Sequence, residues 1–398
     1  MLLLHNRIQH YSWGPTDGLV PLVGSEPTGR PEAELWLGTH HSAPSMVVDD
    51  AEGRTLAEVI AADPIRWLGP ELAATGLTTL PFLLKVLAIG SPLSLQAHPS
   101  AEQAEAGFTR EESAGIPVDA PHRIYRDPNP KPEVLVALNE TWALCGFREA
   151  AEAAERAEAL GIGALEPFVD TLASGGPAAL SDALAWLLHL TGATRDEVAT
   201  GLADAVSGVD PCDLADPLAW VRRLTHEHPG DPTAAAPLLM PVLRLASGEA
   251  VHLPAGNLHA YLQGAGIEVM AASDNVLRGG LTPKHVDVTE LLRVLQFVPG
   301  LPAPPTRRHA APGVSTFDAG DRAFALAMVD PAERGLEISP AGPSLLLATG
   351  GPVEVAGRHG RSTLAGGAGG FVGPGEGPIT VSGRGKLWWA TTGDALPA

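Results

Sequence analysis

The sequence predicts a mainly β protein interrupted by a helical insertion, and three observations carry that expectation. Short apolar runs bounded by Gly and Pro recur on both sides of a central stretch, as at residues 80–89 and 133–138. The central stretch, 148–228, is dominated by Ala, Glu and Leu, which favour helix. Beyond residue 300, short alternating segments at 344–348, 378–382 and 386–391 are separated by Gly and Pro, as in a small β-sandwich or barrel. Strands, helices and strands again imply an α+β or mainly β architecture, with a jelly-roll-like barrel built from many short strands. The β/α rhythm of a dinucleotide fold and its Gly-x-Gly-x-x-Gly turn are missing.

Residues 80–89 read as a buried strand whose one charged member is Lys85. After the Gly90-Ser91-Pro92 break, 94–98 alternates as a second strand, 101–107 reads as a short helix, and 133–138 as a further strand. Helices are expected over 148–160, 180–189, 194–206 and 216–226, with Thr194 and Glu197 forming a capping box. Pro229-Gly230-Asp231-Pro232 ends the insertion. Strand and turn return over 237–272, with a tight turn at Pro254-Ala255-Gly256. A short helix over 289–297 and a Pro-rich linker at 301–305 follow. The expected domains are 1–147 and 229–300 as two parts of one catalytic unit, 148–228 as the helical insertion, and 301–398 as a second small β unit.

Among 398 residues, 26 Lys and Arg face 46 Asp and Glu, a net charge of −20. Nucleic acid and anionic membranes need a basic footprint, so neither is an expected partner. Hydrophobic residues at 45% against 18% charged supply a core and exclude disorder. Two cysteines, Cys145 and Cys212, cannot build a disulfide framework or a thiolate zinc cluster. The apolar start, Leu2-Leu3-Leu4, is too short for a signal-peptide core, and the longest apolar run is broken by Lys85, so a soluble cytoplasmic protein is expected. Only four lysines, Lys85, Lys131, Lys284 and Lys386, stand beside 22 arginines. A lysine kept against such a bias points to a place where a compact, flexible ammonium is needed.

Four segments carry chemistry. On a strand Gln96 and His98 share one face, and both offer metal-compatible donors. Lys131 and Glu133 share a face too, because the flanking Pro130 and Pro132 impose extended backbone. His259 and Tyr261 leave the Pro254-Ala-Gly256 turn together, whereas His252 precedes it among apolar residues and reads as structural. Glu268 interrupts an apolar strand, a costly burial unless paired. Asp274, Arg278 and Lys284 follow it, with Arg278 just before Gly279-Gly280, where backbone can approach a ligand closely. Gln96, His98, Glu133 and His259 together give N and O donors with no thiolate, which suits a catalytic zinc with an open position. Lys85, Lys131, Lys284 and Arg278 around it suit an anion such as phosphate.

These residues, in this order, resemble the type I phosphomannose isomerases of the cupin superfamily. The matching stretches are Gln9-His-Tyr-Ser-Trp13-Gly14, Glu34-Leu-Trp-Leu-Gly-Thr-His40, Pro81-Phe-Leu-Leu-Lys85-Val-Leu87, Leu95-Gln-Ala-His-Pro99, Lys131-Pro-Glu133, Leu144-Cys-Gly-Phe147, and 255–284 followed by Glu290-Leu-Leu292. The resemblance implies a cupin catalytic domain, a second small cupin-like domain, and a monomeric enzyme interconverting mannose 6-phosphate and fructose 6-phosphate through an enediol. It carries one zinc onto Gln96, His98, Glu133 and His259, and the active-site arginine onto Arg278. Lys85, Lys131 and Lys284 become candidates for the phosphate, Glu268 and Asp274 for orienting hydroxyls or relaying protons, and Trp13 and Tyr261 for walling the sugar. Two positions depart from the family pattern: Pro130 stands where a His is frequent, and His41 where a Pro is frequent. Two rival readings are a cupin iron oxygenase using two His and one carboxylate, and a sugar-phosphate-binding cupin without turnover. Gln96 as a fourth donor and the lysines speak against the first, and Arg278 beside a full donor set against the second.

Overall fold

The computed structural model describes residues 1–176, 178–331 and 335–396. The protein is mainly β, with antiparallel sheets on either side of a run of helices. A ten-stranded sheet holds the strands 80–89 and 133–138 anticipated from sequence, observed as Phe82–Ile89 and Glu133–Ala137. Its spine is the thirteen-residue strand His259–Ala271. An eight-stranded sheet combines strands from residues 306–391 with Leu2–His5 and Met46–Val47, so the start of the chain pairs with its end. A four-stranded sheet closes the C-terminal part.

The strand Phe82–Ile89 is buried along its whole length because both its faces are covered. Leu84, Val86 and Ala88 pack with Val134, Val136, Ile267 and Val269 against Leu345, Leu347, Phe371 and Trp388 of the eight-stranded sheet. Leu87 and Ile89, on the other face, join Leu135, Ala137 and Tyr261 in a second core. Lys85 is the one position of this strand where the chemistry of that second face departs from apolar. The helices bury Trp220, Phe168 and Leu224 and pack against Leu95, Leu277, Leu281 and Leu291, the back of the segments that carry the candidate site.

Local departures from the sequence expectation have local causes. The helix expected to end at Gly107 runs from Ala101 to Ser113. Gly107 is not a stop but a contact point, since a Cβ there would lie 2.5 Å from ring atoms of Tyr125. The helix Gly192–Ala205 begins before Thr194, so no Thr194–Glu197 capping box forms, and Thr191 is the N-cap residue. The helix Glu166–Ala173, unanticipated, carries Phe168 and Leu172 inward at helical spacing. The helix expected over 289–297 is Val288–Val294; the chain leaves it early because Gln296 N–H bonds the Gly256 carbonyl at 2.9 Å. No described helix is long and apolar enough to cross a membrane.

Candidate active site

Strand register builds the site. Trp36 lies directly across from Lys85, and Lys85 directly across from Glu268, so the three emerge on one face of the sheet. Met270 pairs with Glu133, placing Glu133 further along the same face. At the other end of the long strand, His259 pairs with Gln96, and Gln96 pairs in turn with Arg278. Chain segments far apart in sequence thus converge because one long strand is shared by two sets of partners.

His98, Glu133 and His259 are buried together, with donor atoms within 4.8 Å of one another. His98 Nδ1 lies 2.8 Å from the Asn275 carbonyl, and His259 Nδ1 lies 3.1 Å from the Asn257 carbonyl. A carbonyl only accepts, so each Nδ1 carries the proton and each Nε2 presents a lone pair. Burial, helped at His98 by the Lys131 charge and at His259 by His98, lowers both pKa values, that of His259 to about 4. Both rings are therefore neutral near pH 7. The two Nε2 lone pairs face Glu133 at 3.4 and 3.7 Å. Burial raises the pKa of Glu133, but the Lys131 ammonium outweighs that and holds it well below the ordinary value, so it is ionised. Acceptors facing an anion are mutually repulsive, and His98 Nε2 has no hydrogen-bond partner despite full burial. A divalent cation answers each of these imbalances at once. The donor set, two imidazoles and a carboxylate with Gln96 alongside, suits zinc with an open position.

Beside this cluster lies a cavity of about 950 Å³ whose wall includes Trp13, Lys85, Gln96, Lys131, Asp274, Arg278 and Lys284. The lysines divide into two kinds. Lys131 Nζ bonds Glu133 at 2.5 Å, and Lys85 Nζ sits 3.3 Å from Glu268 and 3.8 Å from Glu34. Burial opposes the Lys85 charge, yet Glu34 and Glu268 more than offset it and raise its pKa. Burial and the nearby Glu133 push Glu268 up to about 7 against the pull of Lys85. Arg126, Arg278 and Lys284 are different: among the described residues none of the three has a carboxylate partner within 4 Å. Burial and then Arg126 lower the pKa of Arg278, and burial, Arg278 and Arg126 lower that of Lys284. Three cations gathered at this part of the wall, none in an ion pair among the described residues, give it a local positive field.

The catalytic-domain profile of type I phosphomannose isomerases matches residues 1–150. The mannose-6-phosphate isomerase of Escherichia coli K12 is 36% identical over 97% of this chain and 98% of its own length. The chain belongs to the type I phosphomannose isomerases. The human mannose-6-phosphate isomerase is 32% identical over 78% of this chain and 77% of its own length. Among solved structures, the Salmonella typhimurium mannose 6-phosphate isomerase bound to fructose 6-phosphate and zinc superposes with a TM-score of 0.89, at 33% identity over 98% of this chain and 99% of that one.

Within this phosphomannose isomerase fold, His98, Glu133 and His259 converge, and Gln96, Lys85, Lys131, Asp274, Arg278, Lys284 and Trp13 reach the cavity. Glu268 and Tyr261 lie behind Lys85, with the Tyr261 hydroxyl donating to Glu268 at 3.0 Å. His252 lies on the strand Ala250–Leu253, outside the buried histidine cluster. Gly280 serves packing rather than ligand approach, since a Cβ there would meet Thr233 at 2.3 Å. Sequence reasoning missed Arg126, Glu34 and Asn275. Glu34 and Trp36 carry the same i, i+2 signal as Gln96 and His98. Arg126 sits in an irregular segment with no periodicity to read. Asn275 is fully buried and ties that segment down: its Oδ1 accepts from Arg126 N–H at 2.8 Å, and its Nδ2 donates to the Asp127 and Asn129 carbonyls at 2.7 and 2.9 Å.

Proposed function

We infer that this chain is a zinc-dependent aldose–ketose isomerase interconverting mannose 6-phosphate and fructose 6-phosphate. The observation that carries the reading is the pair of neutral, buried imidazoles whose free nitrogens converge on Glu133, beside a cavity holding three unpaired cations. His98, Glu133, His259 and Gln96 would hold the zinc. Zinc held there would supply a Lewis acid for the substrate's oxygens.

The chain's own groups do the rest. Arg126 and Lys284 hold the phosphate, and their mutual repulsion is relieved when it arrives. Arg278, across the strand pair from Gln96, faces the oxygen that gains charge as the enediolate forms. Lys85 and Lys131 are committed to carboxylates and serve orientation and proton handling rather than phosphate binding. Lys85 stays protonated beside Glu34 and Glu268 and donates hydrogen bonds to the substrate, whereas Glu268, pushed up to about 7 by burial and Glu133, is the group that exchanges a proton near neutral pH. Asp274, held by His40 at 2.9 Å, orients a hydroxyl, and Trp13 walls the sugar. The same reading makes the enzyme a cytoplasmic monomer acting on a free sugar phosphate, in keeping with its charge of −20.

The test is a coupled isomerisation assay on mannose 6-phosphate, with metal analysis of the purified protein. Activity should vanish with a chelator and return with zinc. Turnover by metal-free protein, or no turnover by zinc-loaded protein, overturns the reading.

A further inference from the structure

A second group of metal-type donors lies at the cavity wall, apart from the buried histidine cluster. His40 Nε2 is 2.9 Å from Asp274 Oδ1, and His41 Nδ1 is 3.7 Å from Asp274 Oδ2. His40 and His41 open a turn closed by the Ala43 N–H bond to the His40 carbonyl at 3.1 Å, so the two side chains can lie on one side. Their rings stack, centroids 4.6 Å apart and planes within 29°, and each presents a nitrogen to one oxygen of the same carboxylate. The three donor atoms lie within 4.8 Å of one another. Tetrahedral zinc with bonds of about 2.1 Å places its donors roughly 3.4 Å apart. The 2.9 and 3.7 Å separations here bracket that value, and the 3.4 and 3.7 Å separations at the buried cluster lie at it or just above it.

We propose that His40, His41 and Asp274 form a second divalent-cation site, for imidazole-preferring ions such as Zn²⁺ rather than Mg²⁺ or Ca²⁺. Ion entry requires one rearrangement. His40 Nδ1 accepts from Ser42 N–H at 3.3 Å, so its Nε2 carries the proton that bonds Asp274. The proton moves to Nδ1, where the Ser42 hydroxyl, 2.9 Å away, turns from donor to acceptor and holds it once the Ser42 N–H bond is given up, leaving Nε2 free. Arg126 is close enough to act on Asp274, and its charge opposes a cation. His41 is 78% exposed, so the site is open to solvent. Both features make it weaker than the buried one. Water completes the shell, because only three protein donors are present.

The test counts zinc in protein whose buried site is already filled, after equilibration with a range of free zinc concentrations. His41→Ala removes one donor at an exposed position outside the cavity wall, so folding and basal activity should stay as in the wild type. The wild type should bind one zinc more per chain than His41→Ala, and Mg²⁺ should not displace the extra ion. Equal zinc binding by the two proteins overturns the proposal, as does displacement of the extra ion by Mg²⁺.

Discussion

Replacing Arg278 by Ala separates stability from catalysis. The Arg278 side chain makes no hydrogen bond or ion pair among the described residues, and its Nε is buried without a partner. Its neighbours push against it: Arg126 disfavours its charge, and Arg278 in turn disfavours that of Lys284. Truncation therefore removes no hydrogen bond or ion pair of the folded state, and the backbone pairing of Leu277 with Ala97 and of Arg278 with Gln96 survives. The melting temperature should stay level or rise. The charge is needed only when negative charge develops on a substrate oxygen, an interaction whose loss costs roughly 10²–10³ in kcat, or about 2.7–4 kcal/mol. The assay is steady-state isomerisation of mannose 6-phosphate, with zinc content and thermal melts measured on the same preparation. A zinc-replete Arg278→Ala enzyme with wild-type kcat refutes the assigned role. A large drop in melting temperature refutes the claim that the arginine is uncompensated in the folded state.

Metal removal should lower the melting temperature, because folded protein binds zinc and unfolded chain does not; a free zinc level a thousandfold above Kd is worth about 4 kcal/mol. His98→Ala should abolish that zinc-dependent gain together with activity, whereas identical melts with and without chelator would speak against the site. Asn275→Ala removes the hydrogen bonds that fix Arg126, Asp127 and Asn129 and should cost about 3 kcal/mol. Its KM for the sugar phosphate should rise more than kcat falls, and an unchanged KM would count against Arg126 as a phosphate ligand. Glu290 provides a pH test. Burial opposes its charge, but bonds from Arg293, Tyr125 and Arg110 prevail and hold its pKa at about 2, against an ordinary 4.5. A depressed carboxylate stabilises above the unfolded pKa and loses that contribution as pH falls through the folded one. Urea midpoints of wild type and Glu290→Gln should therefore differ most above about pH 4.5 and converge toward about pH 2. A gap that stays constant with pH would show that no carboxylate charge is involved.

The sequence by itself determined what is local. A short apolar run bounded by turn residues placed Lys85 within a strand, two-residue spacing put Gln96 with His98 and Lys131 with Glu133, and Ala/Glu composition marked the run of helices. Local rules also misled where a neighbour distant in sequence decides: Gly107 reads as a helix end until Tyr125 is seen against it, and Gly280 as a ligand approach until Thr233 fills the space. The full group of cavity cations could not be read from the sequence, because Arg126 lies in an irregular segment held by an asparagine about 150 residues away. Nor could the pairing of Leu2–His5 with Gly369–Val372. Only the tertiary structure sorted the three cavity lysines into Lys85 and Lys131, neutralised by carboxylates, and Lys284, left facing other cations, since charge balance depends on distance in space. It likewise fixed which nitrogen of each histidine is free, because the carbonyls of Asn257 and Asn275 that settle the tautomers are placed by turns and sheet register.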